Sequence, residues 1–263
     1  VVVSVTISLI RVESVATGIT FWPGKDAAEV LAAWEAWTLT APRTISTSFR
    51  VMNLPPIPGI PPQLTAGPIV GIDGASLNEG DRSGLDMIND LLDPLRKRFE
   101  PIFDTWHVGP PTDVLASHMD PPDPMPYIGD HFLVDALGAE GQRAMLSLAG
   151  QPGGDAILMA ELRQLGGAFG EPNVHGGALN KLDAAHAFIA LGVVAAPDAG
   201  PRIGTQLAQF RERLSPWDTG YTTPTFVSNC DSPRKSFPDD VAARVAVTRN
   251  RVDPEGLFGS NVR

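Results

Sequence analysis

Residues 155–193 read DAILMAELRQLGGAFGEPNVHGGALNKLDAAHAFIALGV. Two apolar runs of strand length flank a loop rich in Gly, Asn and Pro, the pattern of strand, loop, strand. Side chains alternate along a strand. In the first run Ala156, Leu158, Ala160 and Leu162 therefore share one face, and Ile157, Met159, Glu161, Arg163 and Leu165 the other. In the second, Ala187, Ile189, Leu191 and Val193 oppose His186, Phe188 and Ala190.

If the two apolar faces point the same way, Glu161, Arg163 and His186 gather on an apolar floor, the composition of a ligand site. Leu158, Leu162, Ile189 and Leu191 then lie under helices. A slip of one residue would reverse every side chain of a strand. The same residues also suit a half-solvated sheet in which Glu161 and Arg163 merely pair and His186 is packed in the core.

Outward from this hairpin, apolar positions at helical spacing predict helices over 25–38, through Val30, Leu31 and Trp34, and over 198–214, through Ile203, Leu207, Phe210 and Leu214. Asp26 and Glu29 stand at capping-box spacing, and Trp34 and Trp37 read as core packing. Alternation predicts strands at 17–22, 44–52 and 68–77, and the opening VVVSVTISLIRV also reads as strand. Residues 54–68 are proline-rich and read as a surface loop. A helix over 81–92 is followed by Asp93-Pro94, which suits a cap and restart toward Phe99. The pattern is β-β-α-β-β-α, with a second such unit starting near Tyr127. The fold class is α+β: a large, mainly antiparallel sheet with helices covering one face.

The composition, with 43% hydrophobic residues, is that of a globular protein. A net charge of −10 argues against nucleic acid or an anionic membrane surface as partner. Cys230 is the single cysteine, so no internal disulfide forms; it reads as a buried inert thiol, and a cytoplasmic setting is expected. No apolar run reaches membrane-spanning length. The stretch HMDPPDP (118–124) matches no metal-ligand spacing, and no metal is expected. His107, His131 and His175 are isolated, and no phosphate-cradling glycine motif occurs.

The run ELRQLGGAF followed by GGALNKLDAAHAF resembles FAD-linked oxidases of the berberine-bridge type. Members carry a strand ending E-x-R-x-x-G-G-A, met here by Glu161, Arg163, Gly166, Gly167 and Ala168. A later strand opens A-x-x-x-R-D-A, met by Ala178, Asp183 and Ala184, with Leu182 where Arg is usual. The ending VAVTRNRVDPEGLF is similar to the family's terminal helix and D-P-x-x-x-F tail. FVSNCD (226–231) stands where the family has a strand passing the flavin ring, with Phe226 in a Tyr position and Ser228 in an Asn position. Phe226 can pack on a ring but has no proton to donate.

The resemblance implies a substrate-binding part, residues 1–230, with a C-terminal helix and tail, 231–263, that packs on an upstream flavin domain. It implies FAD held mainly by that domain and a small organic substrate, a sugar, alcohol or secondary metabolite, oxidised by hydride transfer to the flavin. Glu161 is then the expected base or substrate-orienting carboxylate, Arg163 its charged partner and His186 a further acid–base group. Phe226, Ser228 and Asn229 are expected near the cofactor. A non-catalytic binding or assembly module is the alternative.

Overall fold

The computed structural model describes residues 4–57, 59–120, 123–150, 156–173, 175–227 and 234–258. The chain runs β1 (Val15–Pro23), α1 (Ala27–Thr38), β2 (Ile45–Met52), β3 (Ile69–Ser76), α2 (Gly84–Arg98) and the short β4 (Phe103–Asp104) and β5 (His107–Gly109). It continues with the four-residue α3 (Val114–Ser117), β6 (Tyr127–Val134), α4 (Gly138–Leu146), β7 (Met159–Gln164), β8 (His186–Val193), α5 (Ala199–Leu214) and α6 (Asp239–Val252).

The strands form one eight-stranded sheet in the order β4-β1-β3-β2-β7-β8-β6, with β5 also paired to β1. Every pairing is antiparallel. Two β-α-β-β-α units, β1–α2 and β6–α4–β7–β8–α5, meet side by side at β2 and β7, so the sheet reads the same inward from either edge. The unit expected from the sequence has one strand too many. Residues 4–12 pair with no strand, and Val5, Ile7, Leu9 and Ile10 are exposed. Alternating apolar residues make a strand only where a partner edge satisfies their backbone groups.

Helices α1, α2, α4 and α5 cover one face. Trp34, Ile88, Leu92, Met145, Leu207 and Phe210 from the helices meet Phe49, Ile72, Leu162 and Phe188 from the strands in the main core. The Trp34 indole N–H donates to Thr47 Oγ1 at 2.9 Å, so this fully buried side chain leaves no polar atom unsatisfied. Asp26 makes no capping bond; a 3₁₀ turn over 24–26 leads into α1 instead.

Helix α2 does not break at Pro94. Pro94 faces solvent, where the Asp90 carbonyl it cannot bond is open to water, and Leu91, Leu92 and Leu95 hold both sides of it in the core. The proline-rich stretch after β2 is not wholly superficial. Leu64 is buried with Ile19, Phe21 and Ile69 on the opposite face, where it covers the β1 end of the sheet. Among the described residues, no long helix packs buried side chains on the middle of that face, over β2, β7 and β8.

Candidate functional site

Residues directly opposite each other in an antiparallel pair point to the same face. The register sets Asp73 beside Ser48 and Ser48 beside Arg163, and Arg50 beside Glu161, Glu161 beside Ile189 and Ile189 beside His131. Two adjacent polar rows thus cross the face that lacks long helices. Arg50 and Asp73 are lone charges inside otherwise uncharged strand sequences, ISTSFRVM and IVGIDGAS. A charge in mid-strand is the signal that could have drawn attention to them, because burying it demands a partner.

The partners are present. Arg50 Nη2 lies 2.6 Å from Asp73 Oδ2, both side chains being buried. Arg163 grips Glu161 with two bonds, Nε to Oε1 at 3.1 Å and Nη2 to Oε2 at 3.2 Å. His118, just after α3, lies between the two pairs. Its Nδ1 is 2.8 Å from Asp73 Oδ2 and its Nε2 3.2 Å from Arg163 Nη2. Arg50 Nη1 also donates to the His118 carbonyl at 2.9 Å. Two guanidiniums therefore balance two carboxylates around one imidazole.

Exposure ranks these groups. The Glu161 side chain is 0% exposed and that of Asp73 3%, against 24% for His118 and 37% for Arg163. A ligand arriving at this face meets His118 and Arg163, and Glu161 stands behind them. Asp73, His118 and Glu161 could bring three ligand atoms within 4.8 Å of one another. The two guanidiniums already occupy those carboxylates and repel a cation, so the donor set does not suit a metal.

His186 is not part of this cluster. It pairs with Gln164 and Val134, which puts it on the helical face. There its ring packs 5.0 Å from Trp34, and Nδ1 lies 3.8 Å from Glu35 Oε1. Burial pushes its pKa down to about 4, against a smaller upward pull from Glu35. Ile189 and Leu191 correspondingly lie on the Glu161 face and not under helices, whereas Leu162 does lie beneath them. Alternation fails here because Ala187, Phe188, Ile189 and Ala190 are all apolar and β8 is buried on both faces.

Residues 224–226 form one 3₁₀ turn and not a strand. Phe226 stacks on His131 with centroids 4.2 Å apart and planes at 11°, and the Arg163 guanidinium lies 5.6 Å from its centroid. His131 shares a 2.6 Å hydrogen bond with Thr222. Burial first, then the charges of Arg163 and Arg234, lower its pKa to about 4, so the ring is neutral at neutral pH. Ser228, Asn229 and Cys230 lie outside the described residues.

The turn after β7 is built by Gly166 and Gly167, with φ of +87° and +49°, values that disfavour a side chain. This explains the glycine pair of the E-x-R-x-x-G-G-A segment. The turn borders a cavity of about 650 Å³ at the end of the sheet, lined by Thr38, Ile45, Leu77, Val114 and Phe169 among others. The charged cluster is not in that cavity; it lies on the face beside it.

A flavin cofactor would fit this surface only in part. Phe226 keeps 40% of its surface exposed beside a guanidinium, which suits the flat ring end. A pyrophosphate needs unpaired cations or converging backbone N–H groups. Arg50 and Arg163 are each already paired with a carboxylate, so the phosphate end does not fit here.

No family model and no curated protein matches the sequence. Solved structures do match in fold. The TM-score is 0.71 to wild-type BBE-like 1 of Physcomitrella patens at 11% identity, over 95% of this chain and 53% of that one. It is 0.69 to a chitooligosaccharide oxidase at 13% identity, over 95% and 55%. It is also 0.69 to a variant berberine bridge enzyme described as a reticuline dehydrogenase, at 10% identity, over 97% and 56%. The chain has the berberine-bridge type of fold and spans about half the length of these proteins. Among the described residues no helix is long and apolar enough to cross a membrane.

Proposed function

We propose that this chain is the substrate-binding part of an FAD-dependent oxidoreductase that oxidises a small organic molecule. The observation that carries the reading is the place of the charged cluster, on the sheet face that the long helices leave free. The fold shared with FAD-linked oxidases supports it. In this reading residues 1–230 make the substrate side, and residues 231–263 pack against a flavin domain. Helix α6 buries none of its residues, and Val247, Val252, Leu257 and Phe258 are exposed, which supports a partner surface there.

When bound, FAD supplies the two-electron acceptor; the residues of this chain orient the substrate and set the local charge. Arg163 faces outward and stabilises negative charge that develops near it. Glu161, buried and held through both oxygens, keeps that guanidinium in one orientation. It is therefore a positioning residue in this proposal and not the base. Phe226 offers a stacking surface.

The test is an absorbance spectrum of this chain and of a longer polypeptide carrying a flavin domain ahead of it. The chain alone is expected to be colourless and the longer protein yellow. Glu161→Gln in the longer protein is expected to retain FAD while slowing its anaerobic reduction by substrate. Stoichiometric FAD on the chain alone would refute the division of labour. A colourless longer protein would favour a binding or assembly module, a reading that Phe226 in place of an acid–base side chain also suits.

A further inference from the structure

We propose that His118 Nε2 and Arg163 Nη2 together recognise a substrate hydroxyl, with His118 as its proton acceptor and Asp73 as the residue that fixes the imidazole tautomer. This rests on the reading of the face without long helices as the substrate side.

The tautomer follows from the partners. Asp73, salt-bridged to Arg50 and buried, has only acceptor atoms to offer. Arg50 Nη2 also lies 3.1 Å from Nδ1, but an Nδ1 without hydrogen would set two acceptor lone pairs 2.8 Å apart, so the hydrogen of the imidazole is on Nδ1, which donates to Asp73 Oδ2. That leaves the Nε2 lone pair toward Arg163 and Glu161, with Arg163 Nη2 3.2 Å away and Glu161 Oε1 3.8 Å away.

The placement is held from more than one side. Arg50 bonds the His118 carbonyl while its other arm holds Asp73. The next residue, Met119, has φ +54° and is the one non-glycine residue with positive φ among the described residues. A left-handed conformation is unfavourable for a bulky residue and persists only where neighbours impose it. The loop is thus fixed so that the ring stands over the two carboxylates.

The pair also selects the chemistry of its ligand. Nη2 donates to Nε2 at 3.2 Å, and its other hydrogen goes to Glu161 Oε2; a hydroxyl that inserts between Nη2 and Nε2 replaces that one bond by two. A hydroxyl is both donor and acceptor: it donates to Nε2 and accepts from Nη2. An ammonium has only donors and meets the positive charge of Arg163. A carboxylate has no hydrogen for Nε2 and meets Glu161 behind it. In the proton step the substrate O–H bond breaks and an Nε2–H bond forms. The electron pair stays on the oxygen, which faces Arg163, and the imidazolium is balanced by Asp73 through Nδ1–H.

The test needs no cofactor. Long-range ¹H–¹⁵N correlation of the histidine rings is recorded on the chain, alone and with molar glycerol or, at matched ionic strength, ethylammonium chloride. Hydrogen on Nδ1 of His118 is expected, with a saturable shift of Nε2 by glycerol and none by ethylammonium. In Asp73→Asn the amide can donate to Nδ1, so the hydrogen is expected to move to Nε2 and the glycerol shift to be lost, while His175 is unchanged. If that variant does not fold, the wild-type spectra decide alone. Hydrogen on Nε2 in the wild type, no saturable glycerol shift, or equal shifts by both probes would overturn the proposal. A colourless longer protein would instead overturn the oxidase reading and leave the tautomer result standing.

Discussion

Breaking the Arg50–Asp73 pair tests the idea that the charged face is a built site and not a solvated surface. Arg50 Nη2 and Asp73 Oδ2 are 2.6 Å apart, and for delocalised charges centred about 4 Å apart the gross attraction at an effective dielectric of about 20 is roughly 4 kcal/mol. Desolvation of two buried ions removes several kcal/mol each, so the net worth of the pair is small. The cost of breaking it is not. Arg50→Met or Asp73→Asn alone leaves a charge buried without its counter-ion, and about 3–5 kcal/mol is expected from each. For a chain near this size that lowers the melting temperature by roughly 6–20 °C. The double variant is expected to cost well below the sum, with a coupling of about 3 kcal/mol. Urea unfolding of the four proteins measures the cycle. Single variants costing under about 1 kcal/mol, or strictly additive costs, would mean that water already reaches these charges, and the burial argument would fail.

His131 and His186 both titrate near 4 in the folded chain, below their ordinary 6.5. The unfolded chain takes up their protons first, so their contribution is full above pH 6.5 and is lost as pH falls toward 4, by up to about 3 kcal/mol each. Urea midpoints across that range should fall, and His131→Gln should flatten part of the slope; an unchanged slope would count against a buried neutral ring. Glu35, on α1, accepts from the Leu137 and Gly138 amides and from Gln142, at 2.6, 3.0 and 2.6 Å, and so fastens the start of α4. Glu35→Ala is expected to cost about 2–4 kcal/mol, with faster amide exchange in the first turn of α4; exchange unchanged there would refute the capping role.

The sequence by itself determined the elements whose pattern is local. Helix α5 shows its buried stripe at Ile203, Leu207, Phe210 and Leu214, and the β7–β8 hairpin is written in two apolar runs around a glycine-rich loop. Glu161 and Arg163 are visible there as a pair because they stand two residues apart on one strand. What only the tertiary structure decided is which groups join them. Which face of β8 meets them depends on register, and a strand apolar on both faces leaves register to the neighbouring strands. Asp73 and His118 are 45 residues apart and Arg50 and His118 are 68 apart. No local pattern links them, and His118 sits in a proline-rich stretch that reads as plain loop. They converge because β3, β2 and β7 are consecutive in the sheet, and a buried guanidinium there must find a carboxylate and a carbonyl. That demand is a property of the folded interior and appears only once the sheet order is fixed.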